Sequence, residues 1–283
     1  VNPHTRVVKG ETLVTTFSDV GQGWEQWVLV TSDRHWDSVH TDRTMQKRHL
    51  DQAVERDALI MDLGDVFDAM QGKDDKRGSK ASIRPEHVRS DYFDGLVETA
   101  AEFFEPYADR ILVLGTGNHE TAVLKHHEIN LSWQLARALN ASSGDVHFGR
   151  YSGYVKFQYR SNEKTYRRPC LAYYHHGHGG SSPVTRGVIQ TNRRAVYLTD
   201  PDVIFTGHTH QSWIVPISRE RVSDQGRTYV DQQWHVQVPS YKEASRREGW
   251  EAEKGMAPTM KGAIWWRMYY RDLKVHHEYT WAQ

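Results

Sequence analysis

The chain has 283 residues, and 36 Lys plus Arg balance 36 Asp plus Glu. Zero formal charge argues against a general polyanion binder, while leaving room for a local basic patch. A single cysteine, Cys170, excludes an intramolecular disulfide framework and any cysteine-based zinc site.

The first half alternates short apolar runs with amphipathic stretches, the pattern of an α/β protein. Trp27-Val28-Leu29-Val30 reads as a buried strand ending at Thr31-Ser32-Asp33. Residues from about Asp42 to Arg56 read as a helix with Met45, Leu50, Ala53 and Val54 inward. Ala58-Leu59-Ile60-Met61 is a second strand, ending at Gly64-Asp65. Pro85 suits the first position of a helix carrying Val88, Tyr92, Leu96, Ala100 and Phe103 inward and stopping near Pro106. Ile111-Leu112-Val113-Leu114 is a third strand, followed by a helix near Asn130–Asn140. Gly153–Tyr159 and Arg168–Tyr174 flank a polar turn and read as a hairpin. Val203-Ile204-Phe205 is another buried strand. Trp213–Ile217, Arg227–Val238, Ala263–Tyr270 and Lys274–Thr280 are β-rich. A parallel half followed by an antiparallel half predicts two sheets packed face to face with helices outside. No linker divides the chain, so one domain over 1–283 is expected. No apolar run approaches the roughly 20 residues of a membrane span. The opening VNPHTRVVKG lacks a signal-peptide core, so a cytoplasmic protein without membrane contact is expected.

Histidine is the compositional outlier, with 17 copies, so where the histidines fall is the next question. Many fall just after strand ends, where α/β sheets present ligand sites. In order come Asp33-Arg34-His35, Gly64-Asp65-Val66-Phe67-Asp68, Gly117-Asn118-His119-Glu120, His175-His176-Gly177-His178 and Gly207-His208-Thr209-His210. Each block supplies carboxylate oxygen, imidazole nitrogen or amide oxygen, the donors that divalent metals take. Any one block alone is ordinary turn or cap chemistry. Five in sequence, each after a predicted strand, point to a metal site.

These blocks resemble the calcineurin-like metallophosphoesterase superfamily, whose pattern is D-x-H, G-D-x-x-D, G-N-H-[DE], His-Gly after a strand, and G-H-x-H. The resemblance spans Asp33 to His210. It implies a four-layer αββα sandwich of two mixed β-sheets flanked by helices. It also implies two divalent ions, Mn foremost and Fe, Zn, Ni or Co as alternatives. Carried over, one ion takes Asp33, His35, Asp65 and His210, and the other takes Asp65, Asn118, His176 and His208. Asp65 bridges, since a carboxylate has two oxygens to share. A metal-bridging hydroxide then attacks phosphorus. His119 is the general acid for the leaving oxygen, oriented by Asp68 or Glu120. His176 fits the His-Gly position best, with His175 and His178 as alternatives. Glu120 stands where the superfamily more often has Asp.

The resemblance names the chemistry but not the ester. Residues 71–84 hold five Lys or Arg against two Asp, net +3, a segment suited to nucleic-acid phosphates. Arg186, Arg193, Arg194 and His178 are candidate substrate contacts, an arginine fork suiting a phosphate. Trp234, Tyr241, Trp250, Trp265 and Trp266 crowd the C-terminal β region, as core or as base-stacking rings. The block Gly64 to Asp68 also resembles the DNA-repair nuclease branch of the superfamily, and the middle of the chain resembles phosphoesterases of phage genomes. The leading expectation is a phosphodiesterase acting on DNA, RNA or a nucleotide. A phosphomonoesterase for a small metabolite or phosphoprotein is the alternative, and a non-catalytic binding scaffold the third reading. Oligomeric state is not readable from the residues.

Overall fold

Short aliphatic and β-branched runs bounded by glycine and polar turns form thirteen strands among the described residues. The structure is a computed structural model and describes residues 4–71, 81–142, 144–161, 166–180, 185, 187–243 and 259–283. One sheet has seven strands, in the order β1 (His4–Lys9), β2 (Thr12–Phe17), β7 (Ser152–Arg160), β8 (Tyr166–His175), β9 (Val203–Thr206), β11 (Thr228–Gln237) and β10 (Trp213–Val222). The other has six, in the order β13 (Lys274–Ala282), β12 (Ala263–Arg271), β3 (Glu25–Thr31), β4 (Leu59–Asp62), β5 (Ile111–Leu114) and β6 (His147–Phe148). Both are mixed. Strands β3 to β6 run parallel with β12 antiparallel to β3, and β8, β9 and β11 run parallel, with β10 antiparallel to β11 and β7 antiparallel to β8 but parallel to β2.

The sheets do not divide the chain into halves, as the sequence pattern had implied. The C-terminal hairpin β12–β13 joins the parallel strands of the first half, and the hairpin β1–β2, unassigned from sequence, extends the other sheet. Strand β12 shows why. Ile264, Trp266 and Met268 belong to the core between the sheets, while Ala263 and Trp265 belong to the core under the helices. A strand apolar on both faces needs cover on both. The inter-sheet core also holds Phe17, Val28, Val30, Met61, Phe157, Tyr159 and Phe205.

Helices α1 (Arg43–Glu55), α2 (Tyr92–Phe104) and α4 (Leu131–Ser142) cover the six-stranded sheet through Leu50, Leu96, Phe104, Leu135 and Leu139. The Asp42 side chain caps α1 by accepting from Met45 N–H at 2.9 Å. Val54, expected inward, is 42 % exposed, and the inward positions are Gln46, His49, Leu50 and Ala53. The expected helix from Pro85 is broken. A 3₁₀ turn, Pro85–His87, ends when Val88 leaves helical backbone, and α2 starts at Tyr92. Helix α3 (Asn118–His127) escaped the sequence reading because its buried residues are only Glu120 and Val123, too few for a helical stripe. Helix α5 (Val188–Tyr197) flanks the seven-stranded sheet, and Leu198 O just after it accepts from Gln233 on β11 at 2.7 Å. No helix of the described residues is long and apolar enough to cross a membrane.

Candidate metal centre

The five blocks lie beyond the ends of β3, β4, β5, β8 and β9, and the loops are laced together by their backbones. Asp33 N–H donates to Gly64 O and His35 N–H to Asp65 O, each at 3.0 Å, and Gly207 N–H donates to His176 O at 2.8 Å. The two sheets meet where His208 N–H donates to Asp33 Oδ2 at 2.8 Å. Gly117 and Gly207 permit this closeness. A Cβ on the first would strike the Asp65 carboxylate, and one on the second the Ser32 hydroxyl.

Left-handed backbone recurs at the site, as it does at turns elsewhere such as Asp19, Asp57, Glu128 and Asp272. Asp33, His35, Asp65, His208 and His210 all have φ between 46° and 71°. Left-handed backbone is uncommon outside glycine, and Asp, Asn and His tolerate it best. Each such residue costs roughly 1–3 kcal/mol, a cost that collects at functional sites.

Two groups of donor atoms converge. In the first, His35 Nε2 lies 3.2 Å from His210 Nε2, and His210 Nε2 lies 3.3 Å from Asp33 Oδ1. In the second, His176 Nε2 lies 3.1 Å from both Asp65 Oδ2 and Asn118 Oδ1, and His208 Nδ1 lies 2.6 Å from Asn118 Oδ1. Asp65 belongs to the second group and also stands with His35 and His119. Donors about 2.0–2.2 Å from one ion, at angles of about 90–110°, stand roughly 2.8–3.6 Å apart, so all these spacings but the shorter His208–Asn118 one suit divalent ions as they stand. Asp33 Oδ1 is buried without an aligned hydrogen-bond donor, as a ligand oxygen would be. His176 Nδ1 donates to Leu63 O at 3.1 Å, so a neutral ring would turn a bare Nε2 toward the other donor atoms.

Electrostatics fit the same use. Burial opposes ionisation of Asp33, but the close approach of His210 and the His176 charge outweigh it and hold its pKa below the carboxylate range. Asp65 is held low in the same way, against burial, by His176 and His119. Burial also opposes a charge on His176, yet Asp65 and Asp33 raise it to about 10. A proton on His176 thus offsets buried acids in the place where a cation would, and a metal would displace it.

His119 stands beside this set with Nε2 3.7 Å from Asp65 Oδ2. Its Nδ1 donates to the backbone oxygen of Asp68 at 2.5 Å, so that carbonyl, rather than the Asp68 carboxylate, orients the ring. Glu120 does not orient His119. Its carboxylate accepts three backbone N–H groups, from Asp65 at 3.1 Å, Phe67 at 3.0 Å and Gly117 at 2.8 Å. It clamps the loop that carries Asp65 and spans one methylene more than Asp would. Burial and then Asp65 push Glu120 up to about 7.

The expected substrate contacts are less convergent. His178 is exposed, its ring 5.8 Å from that of His175, and His175 Nδ1 accepts Gly177 N–H at 2.8 Å. Arg193 is exposed on α5, whereas Arg194 is buried and close enough to His175 to help lower its pKa, after burial, to about 4. Arg186, residues 72–80 of the basic segment and Trp250 lie outside the described residues. Tyr241, Trp265 and Trp266 are core. One residue that the sequence reading missed enters the site. Lys242 Nζ lies 2.9 Å from Asp68 Oδ1. A signal existed, because Lys242 follows a strand end just as the five blocks do.

No family model matches the chain, and no curated protein matches it. Solved structures similar to it include a conserved uncharacterized protein of Streptococcus pneumoniae described as a predicted phosphoesterase, at 11% identity over 92% of this chain and 91% of that one, TM-score 0.33. A metallophosphoesterase of Sphaerobacter thermophilus is similar at 14% identity, 90% and 88% coverage and TM-score 0.36. Zinc-bound vacuolar protein sorting 29 of Entamoeba histolytica is similar at 12% identity, 91% and 100% coverage and TM-score 0.36. Likeness at this distance says nothing of chemistry, for which the donor geometry is the ground.

Proposed function

We propose that this chain is a two-metal phosphoester hydrolase, and specifically a phosphodiesterase acting on nucleic acid or a nucleotide. The carrying observation is the pair of donor groups, Asp33/His35/His210 and Asp65/His176/His208, with Asn118 completing the second. Two divalent cations there would supply the positive charge that lowers a water's pKa and neutralises phosphoryl oxygens. Asp65 would face both ions, and Glu120 holds the loop that presents it. His119 would hand a proton to the leaving oxygen. Its Nε2 faces the donors, and although burial opposes its charge, Asp65 and Asp68 raise its pKa above the ordinary value. A nucleic-acid diester is favoured by the net +3 of residues 71–84, which suits a chain of phosphates.

Purified protein with Mn²⁺ is expected to hydrolyse bis-p-nitrophenyl phosphate, and EDTA to abolish the activity. Asp65→Ala and His208→Ala should each abolish it as well, and full activity in both would refute the site. The same assay on p-nitrophenyl phosphate, a cyclic nucleotide and DNA sorts diesterase from phosphatase. Failure to retain metal after metal-supplemented expression would favour a binding scaffold.

A further inference from the structure

We propose that Lys242 is a positioning residue for the ion at Asp33, His35 and His210, acting through Asp68. The inference rests on the two-cation reading above. Lys242 lies in the loop after β11, which is pinned onto the first donor group. Ser240 Oγ and Tyr241 N–H both donate to Asp33 O, at 2.9 and 3.2 Å, and Glu243 N–H donates to His40 O at 2.9 Å. From there Nζ reaches Asp68 Oδ1 at 2.9 Å, and the same oxygen stands 2.8 Å from His35 Nδ1. One carboxylate oxygen therefore joins an ammonium to the ring nitrogen of His35 that does not face His210.

The carboxylate needs that second partner. Asp68 N–H donates to Asp37 Oδ1 at 2.7 Å, and the Asp37 carboxylate also accepts the Tyr92 hydroxyl at 2.6 Å, so a second buried acid lies beside Asp68. Two buried carboxylates repel unless a cation compensates them. Lys242 is in contact with Asp68, whereas the buried Arg34 is engaged with Asp62 at 2.5 Å. His35 Nδ1 comes close to Asp68 Oδ1 without forming an aligned hydrogen bond. An imidazole offers a bare Nε2 only while Nδ1 keeps its proton, and the partner that holds that proton sets ligand quality.

Calorimetric titration of metal-free protein with Zn²⁺ tests this. Wild type should bind two ions. Lys242→Met should bind one of them as before and the other roughly 10–100-fold more weakly, and Lys242→Arg should restore it. Two unchanged binding events overturn the proposal, as does equal weakening of both. Weaker binding of inorganic phosphate with unchanged ion affinities also overturns it and places the lysine on the substrate. A wild-type protein that binds no ion refutes the two-cation reading, and this inference with it. A measurement free of any variant is the His35 tautomer in the zinc-loaded wild type, read by long-range nitrogen–proton NMR. Nδ1 should carry the proton, and the opposite tautomer overturns the proposal.

Discussion

Buried histidines meet two contrasting environments in this molecule. At the strand ends, His176 lies 3.1 Å from Asp65 and is raised to about 10. In the scaffold, His49 meets the Tyr241 hydroxyl at 3.0 Å, His87 the Thr99 hydroxyl at 2.9 Å and His235 the Gln233 amide oxygen at 3.0 Å. Those partners are neutral, and burial holds all three rings at about 4. The protonation of a buried histidine is thus a contest between burial and any acid that shares its space, and His208, beside Asp33 and Asp65, is still lowered, by burial first and then by His176. His35 shows the balance between the two regimes. It touches Asp68, yet burial and Lys242 keep it at about 4.

The largest test falls on the site set. If His119 protonates the leaving oxygen, His119→Gln should slow cleavage of an ester with a poor alkoxide leaving group by roughly 10²–10⁴-fold. It should slow release of p-nitrophenolate far less, and equal losses would remove it from that role. A smaller effect is expected at the clamp between the two regions. Glu120→Ala leaves the N–H groups of Asp65, Phe67 and Gly117 without their acceptor, at about 1–3 kcal/mol for each group left unpaired. Urea unfolding should show a loss of about 3 kcal/mol or more, and a loss below about 1 kcal/mol would mean that water serves the loop equally well.

The smallest effect falls on the scaffold set. A histidine at about 4 in the folded chain and near 6.5 when unfolded takes up its proton more readily unfolded. Its stabilising contribution is complete above pH 6.5, declines as pH falls through 6.5 toward 4, and levels off below. His49→Gln should therefore make the stability–pH curve shallower in that window by roughly 1 kcal/mol per pH unit, with no change in metal binding. An unchanged slope would show that His49 takes up its proton as readily folded as unfolded.

Much of the site was legible because its blocks are local. Asp33 and His35, Asp65 and Asp68, and His208 and His210 each sit within a few residues of a strand end that apolar patterning locates. The φ values of these loops favour the residue types that also ligate metals, so turn preference and ligand chemistry select the same letters. Helix α3 was hidden by its weak stripe, and the role of Glu120 by the fact that two of its three N–H partners lie more than fifty positions away.

By itself, then, the sequence determined most of the strands, the blocks at their ends and the donor types those blocks carry, since all of these depend on neighbours along the chain. Tertiary structure alone decided which sheet each hairpin joins, that Asp33 meets His208 across the two sheets, and that Lys242 shares the Asp68 carboxylate with His35. Those pairings join residues up to 244 positions apart, as Tyr269 opposite Glu25, and burial of both faces of β12 and compensation of buried charge select them. Both are properties of the packed whole that no window of sequence contains.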